Sequence, residues 1–255
     1  MNNILEVRKL NKTYAIGKNN NQQVLRNVNL DISQGEFVSI MGPSGSGKST
    51  LLYNISGMDR MTSGSVKFCN KEIAKMGEDE LSKLRLRMMG FIFQQSSLLN
   101  NLSIFDNIIL SAFMAKAESR QATNERATRL MEQTGILELA DNNITQASGG
   151  QLQRVAICRA LINNPQIVFG DEPTGALNSK AAEEVMDILA KINQSGTTVL
   201  LVTHDAKVAA KTERVLFMTD GVITGVKHIG KYKKENGDIK VRENRLSDWL
   251  LQMGF

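Results

Sequence analysis

Glu36-Phe-Val-Ser-Ile-Met41 leads directly into Gly42-Pro43-Ser44-Gly45-Ser46-Gly47-Lys48-Ser49-Thr50. The first six residues are mostly apolar and partly β-branched, which reads as a buried strand. From Lys48 the apolar residues Leu51, Leu52 and Ile55 recur at helical spacing. Strand, glycine-rich loop and helix in that order give context to the pattern G-x-x-x-x-G-K-[ST], which Gly42–Ser49 matches. Glycines let the backbone wrap closely, so that its N–H groups turn inward on phosphate oxygens. The positive end of the following helix adds to that field. Gly42, Ser44, Gly45, Ser46, Gly47 and Thr50 are therefore expected to cradle phosphates. Lys48 supplies a point charge for the outer ones, and Ser49 a hydroxyl for Mg²⁺.

A second element supports the first. Ile167-Val-Phe-Gly-Asp171-Glu172 is an apolar strand ending in two acids. In an α/β sheet that end lies at the carboxyl edge, beside the phosphate loop. Asp171 is expected to hold Mg²⁺, and Glu172 to polarise an attacking water as general base. Together the two elements predict a nucleoside triphosphatase or kinase.

Outward from these, Ile4–Val7 and Val24–Ile32 read as strands separated by a polar loop, Gly17–Gln23. Ser63–Cys69 and Gly90–Phe93 read as further strands, with a charged helix over Glu72–Met89 between them. No strand is expected from about Leu98 to Ala147. There Ser103 with Asp106 marks a helix start, and Arg120–Gly135 has helical spacing. Gln166–Phe169 and Thr197–Val202 are continuous apolar strands of the parallel, buried kind, joined by a helix over Ser179–Ile192. Arg214–Ile223 reads as a hairpin turning at Asp220-Gly221. Leu246, Trp249, Leu250 and Met253 share one face of a short final helix.

Composition narrows the function. The chain has 255 residues, 42% of them hydrophobic and 22% charged, with a net charge of +5. No apolar run approaches the ~20 residues that cross a bilayer, and Met1–Thr13 lacks a signal-peptide core. Two cysteines and two histidines exclude a disulfide framework and a multi-histidine metal site. Most of the charge excess lies in residues 227–245, where seven Lys or Arg face three acids. That run reads either as a solvated face or as a surface for anionic lipid.

Ala147-Ser148-Gly149-Gly150-Gln151 opens an amphipathic helix running through Arg154 and Arg159 toward Pro165. Small residues at a helix N-terminus again suit an anion. Here the chain resembles the ATP-binding cassette ATPases, whose signature is L-S-G-G-Q, with Ala147 in place of the leucine. The resemblance covers roughly residues 3–223. It implies an α/β fold: a P-loop NTPase core with a parallel sheet, an antiparallel β subdomain, and a helical subdomain inserted at about 95–163. The cassette then spans 1–225, and 226–255 is a basic extension.

By the same resemblance Tyr14 stacks on adenine, Gln94 approaches Mg²⁺ and the water, and His204 is the switch histidine that contacts the γ-phosphate. The metal set is then Ser49, Gln94 and Asp171. Ser148, Gly149, Gly150 and Gln151 meet the ATP held by a partner subunit in a head-to-tail homodimer. Asn178 departs from the family's usual Asp.

Phe93-Gln-Gln-Ser-Ser-Leu-Leu99 and Asp171-Glu-Pro-Thr-Gly-Ala-Leu177 are similar to the branch serving lipoprotein release, macrolide export and antimicrobial-peptide resistance. That branch implies an integral membrane permease with a large extracellular domain and a place at the cytoplasmic face of the membrane. Gln94 and Leu98–Phe105 are then expected to form the permease groove. Two alternatives stand beside transport: a cassette acting on nucleic acid or ribosomes, for which 255 residues leave no second cassette, and a regulator driving a cell-wall or division complex.

Overall fold

The computed structural model describes residues 2–17 and 20–255. Met1, Lys18 and Asn19, the last two within the stretch expected as a polar loop, lie outside the described residues. The first half begins with two long antiparallel strands, β1 (Asn3–Ile16) and β2 (Asn20–Ser33). They outrun the apolar segments Ile4–Val7 and Val24–Ile32. Tyr14 pairs with Gln22 and Ile16 with Asn20, so most of the polar stretch expected as loop belongs to the ladder. Backbone pairing carries that exposed end, where no alternation of apolar side chains signals it.

Strand β3 (Phe37–Met41) leads to helix α1 (Lys48–Ile55), followed by β4 (Ser63–Phe68) and a two-residue β5 (Lys71–Glu72). The helix expected over Glu72–Met89 is shorter. Glu72 is drawn into the sheet by bonds from Ser65 Oγ and the Val66 N–H. Ile73 is buried, and α2 spans only Glu78–Met88 before β6 (Met89–Phe93).

Helices α3 (Ile104–Ala115), α4 (Arg120–Thr134) and α5 (Gly149–Leu161) follow. Ser103 caps α3 by accepting from the Asp106 N–H at 3.0 Å, as the pairing of those residues predicts. Ile108, Met131, Val155 and Cys158 fill the space between these helices, each large side chain contributing about 1.5–3 kcal/mol by burial. Buried Asn107 pins the segment before α3 through the Leu99 N–H at 2.8 Å and the Ser103 carbonyl at 2.9 Å.

The chain then returns to the main sheet through β7 (Ile167–Asp171), α6 (Ser179–Gln194), β8 (Thr198–Val202), α7 (Ala206–Ala209), β9 (Arg214–Thr219) and β10 (Val222–His228). The main sheet has the order β10-β9-β3-β8-β7-β6, and a smaller sheet the order β2-β1-β4-β5. Strands β9, β3, β8, β7 and β6 are parallel, and β10 closes the edge as the antiparallel arm of the expected hairpin. A core of Leu5, Ile32, Leu51, Ile55, Phe68 and Phe169 joins the two sheets around α1.

The final helix, α8, runs over Ile239–Gln252 and so begins earlier than the Leu246–Met253 periodicity signals. Leu246 and Leu250 are buried against β9 and the segment after α7, and Trp249 meets Phe217 edge-on at 6.2 Å. The solvated-face reading fails for one cation of the basic run, Arg242, while Lys234 stays exposed. Arg242 is buried and donates to the carbonyls of Ala210, Thr212, Ile229 and Gly230. Lys234 pairs with Asp187 at 2.6 Å.

Candidate active site

Parallel topology gathers the site. Strands β3, β8, β7 and β6 are neighbours in register, with Ile40 opposite Val202, Asp171 opposite Val202, and Phe93 opposite Asp171. Their carboxyl ends therefore deliver Gly42, His204, Asp171 with Glu172, and Gln94 to one edge of the sheet, where ligands of such sheets bind.

The phosphate loop is shaped by its glycines. A side chain at Gly42 would drive its Cβ to 2.0 Å from the Met218 carbonyl oxygen, and Gly47 adopts φ +97° at the start of α1. No side chain caps α1, and its first turn carries no acid, so its leading N–H groups stay available to an anion. The Ser46 hydroxyl is buried without a partner. Ser44 and Gly45 are exposed, and nothing occupies the space beside Gly45. Lys48 is 8% exposed and lies along the loop, donating to the carbonyls of Gly42 and Pro43 at 2.9 and 2.8 Å. Burial lowers its pKa, while the nearby Glu172 and Asp171 carboxylates oppose the change.

Ser49 Oγ donates to Asp171 Oδ1 at 2.8 Å, and the Tyr53 hydroxyl donates to Asp171 Oδ2 at 2.7 Å. Desolvation, aided by that bond, pushes the Tyr53 phenol up to about 12. A carboxylate and a hydroxyl are hard oxygen donors, which suits Mg²⁺. Among the described residues no cluster of three His, Cys, Asp or Glu could hold a metal.

Glu172 follows Asp171 in a left-handed conformation, φ 48°, a strained state for a residue with a Cβ. His204 Nδ1 lies 3.1 Å from Glu172 Oε1. An ionised carboxylate only accepts, so the imidazole donates. Gln94 completes the group. A Cβ added at Gly175 would stand 3.0 Å from Gln94 Nε2 and 3.2 Å from Glu172 Oε2. Gly170 also has a steric reason to lack a side chain, because its Cβ would meet Leu201 Cδ2 at 2.5 Å.

Tyr14 extends the site along β1. Its hydroxyl donates to Asp59 Oδ2 at 2.6 Å, and Lys12 Nζ lies 4.5 Å from the ring centroid. Burial and the Asp59 bond push the phenol up to about 12, with the Thr50 side chain acting on the same hydroxyl in opposition. Thr50 lies in the first turn of α1, so the ring stands close to the phosphate loop.

Ser148, Gly149, Gly150 and Gln151 do not join this group within one chain. Ser148 caps α5, and its N–H donates to the Gln151 side chain at 2.8 Å. The neighbour of Gly149 is Leu177 and that of Gly150 is Ala181, with no phosphate-loop atom within 4 Å of the position of an added Cβ. Asn178 accepts from the Ala181 N–H at 2.9 Å and so caps α6, a role in which Asn and Asp are equivalent.

Sequence reasoning missed Lys12, Tyr53 and Asp59. Tyr53 carried a signal, since it stands four residues after Ser49 on the same helical face. Asp59 carried none, because its partners are distant in sequence.

The family model described as ABC transporter matches residues 25–175. The macrolide export ATP-binding/permease protein MacB of Aggregatibacter actinomycetemcomitans is 44% identical over 87% of this chain and 34% of its own. This chain thus spans about a third of that relative's length. The bacitracin export ATP-binding protein BceA of Halalkalibacterium halodurans is 40% identical over 91% of both chains. The lipoprotein-releasing system ATP-binding protein LolD of Leptospira interrogans is 41% identical over 92% of this chain and 96% of its own. The dimeric post-hydrolysis structure of the cassette MJ0796 of Methanocaldococcus jannaschii, bound to ADP and Pi, superposes with a TM-score of 0.82. Its identity is 40%, and the match covers 89% of this chain and all of that one.

Proposed function

The chain belongs to the ABC transporter family, and from that premise we propose that it binds Mg·ATP and hydrolyses it to drive a membrane permease. The observation that carries this reading is the bond between His204 and Glu172 at 3.1 Å, beside the Ser49–Asp171 pair on the same sheet edge.

On this reading Lys48 and the backbone N–H groups of 42–50 hold the triphosphate, and Tyr14 offers a ring face to adenine. Ser49, Asp171 and Gln94 hold Mg²⁺, which when bound neutralises charge developing on the phosphates. Glu172 takes the proton of the attacking water, and His204 fixes the carboxylate's direction.

Within one chain Gly149 and Gly150 neighbour Leu177 and Ala181 rather than the phosphate loop, so the Ser148–Gln151 loop completes the site of a second copy. ATP then binds two subunits together head to tail, and loss of the γ-phosphate releases them. The dimeric structure of the MJ0796 cassette supports that assembly.

No helix among the described residues is long and apolar enough to cross a membrane, so a permease supplies the span and holds the chain at the cytoplasmic face. A groove of about 360 Å³ between α2, β6 and α3, lined by Met58, Phe91, Phe93 and Met114 and not by the expected Gln94 and Leu98–Phe105, suits an amphipathic helix of that permease. The names of the relatives support export or extraction of peptides, lipoproteins or drugs; a large extracellular domain on the permease is what the branch resemblance implies.

The cassette is assigned to residues 1–225 and the extension to 226–255, which begins inside β10 and packs on the cassette through α8. The exposed Lys231, Lys233, Lys240 and Arg245 are the cations of that extension available to anionic lipid, at about 1 kcal/mol each. Nucleic acid is not among the proposed partners.

The test is a gentle detergent pull-down of the tagged chain from its native membrane. Recovery of a multi-span permease with a large extracellular domain supports transport. Ribosomal partners without a permease would overturn it.

A further inference from the structure

Tyr53 is absent from every role assigned above, yet it touches the residue assigned to the metal. Both oxygens of Asp171 are engaged: Oδ1 by Ser49 Oγ at 2.8 Å and Oδ2 by the Tyr53 hydroxyl at 2.7 Å. The two donors project from one helix, α1, at positions four apart, which places them on the same face. Asp171 ends a strand 118 residues later in the chain. A terminal carboxylate on one side chain rotates about its last bond unless both oxygens are held.

We infer that Tyr53 is a positioning residue for the metal site, its hydroxyl locking the Asp171 carboxylate so that Oδ1 alone is presented to Ser49 and the ion. The Tyr53 ring packs against the main core, so the hydroxyl is delivered by a side chain that cannot swing away. One helix thereby couples three tasks: Lys48 to phosphate, Ser49 to the metal, and Tyr53 to the carboxylate partnering it. Groups that orient metal ligands from behind typically change metal affinity by about 10–100-fold when removed.

This inference rests on the assignment of Asp171 to Mg²⁺. Its test is nucleotide binding by calorimetry with the full chain, in EDTA and across a range of free Mg²⁺, for wild type, Tyr53→Phe and Asp171→Asn. Tyr53→Phe keeps the ring and removes only the hydroxyl. Its ATP affinity in EDTA and its melting temperature should match wild type. The free Mg²⁺ giving half of the metal-dependent gain in affinity should rise on the order of 10-fold. An unchanged Mg²⁺ midpoint in Tyr53→Phe, with a shifted one in Asp171→Asn, overturns the role of Tyr53 alone. Unchanged midpoints in both variants overturn the metal assignment itself. A lowered melting temperature with an unchanged Mg²⁺ midpoint makes Tyr53 a packing residue, which also overturns the inference.

Discussion

His204 Nδ1 and Glu172 Oε1 stand 3.1 Å apart, although 32 residues separate them in sequence. Neighbouring strands β7 and β8 set this distance, because Asp171 lies opposite Val202 in register. In the proposed reaction Glu172 would meet the water with its orientation already held by that contact. Glu172→Gln keeps the shape and the bond to His204 but cannot accept a proton. Hydrolysis should fall by roughly 10²–10⁴-fold, while ATP affinity stays within a few-fold and the ATP-bound dimer accumulates on gel filtration. Hydrolysis at the normal rate would remove Glu172 from the role of base.

Lys48 carries the phosphate-loop assignment. Its ammonium is buried between the loop carbonyls and the two acids, so a truncated side chain leaves no cation there. Lys48→Ala should weaken ATP binding on the order of 100-fold, as expected for charge-assisted hydrogen bonds to a buried anion. Unchanged affinity by calorimetry contradicts the assignment.

Gly175 tests the closeness of Gln94 and Glu172. A methyl there would stand 3.0 Å from Gln94 Nε2 and 3.2 Å from Glu172 Oε2. Both side chains would have to shift by a few tenths of an ångström. Misplacement on that scale at a reacting centre costs up to about 10²-fold in rate. Gly175→Ala should therefore slow hydrolysis strongly and spare ATP affinity. An equal loss of both would place the strain elsewhere.

The catalytic edge was legible because two of its parts are announced locally. A glycine loop and a strand ending in acids carry their own backbone logic; His204 and Gln94 were reached through the resemblance, and parallel pairing brings all of them to one edge. Contacts made to backbone carry no such signal. Arg242 reaches four carbonyls, and nothing in the residue types at 210–230 announces it. Glu72 lies in a helical-looking stretch but is captured by Ser65 and Val66. Polar pairing of β1 with β2 near Tyr14 likewise hides from apolar periodicity.

Asp187 links the tail to α6 and predicts an acid response. Burial alone would raise its carboxyl, but Lys211 and Lys234, each at 2.6 Å, hold it below the ordinary carboxylate range. A folded-state pKa depressed in this way stabilises the fold above the unfolded value and loses that contribution as pH falls through the folded one. Asp187→Asn should lower stability at pH 7 and flatten the loss of stability below about pH 4. Urea midpoints at pH 7 and pH 3 measure both limbs. Parallel acid limbs for variant and wild type would exclude Asp187 as their source.

Arg242 separates an integral tail from a solvated one. Its guanidinium is buried and satisfies the carbonyls of Ala210 and Thr212 just beyond α7, together with those of Ile229 and Gly230. Arg242→Met keeps the apolar stem and strands those carbonyls away from water, where each unsatisfied group costs about 1–3 kcal/mol. Partial relaxation leaves an expected loss of about 3 kcal/mol, read as a lower urea midpoint at unchanged slope. Lys240→Ala, two residues away and exposed, should change stability by no more than about 0.5 kcal/mol. A tail that merely solvated the chain would give the same small change for both. Because α7 begins directly after His204-Asp205, Arg242→Met should also slow hydrolysis more than it weakens ATP binding.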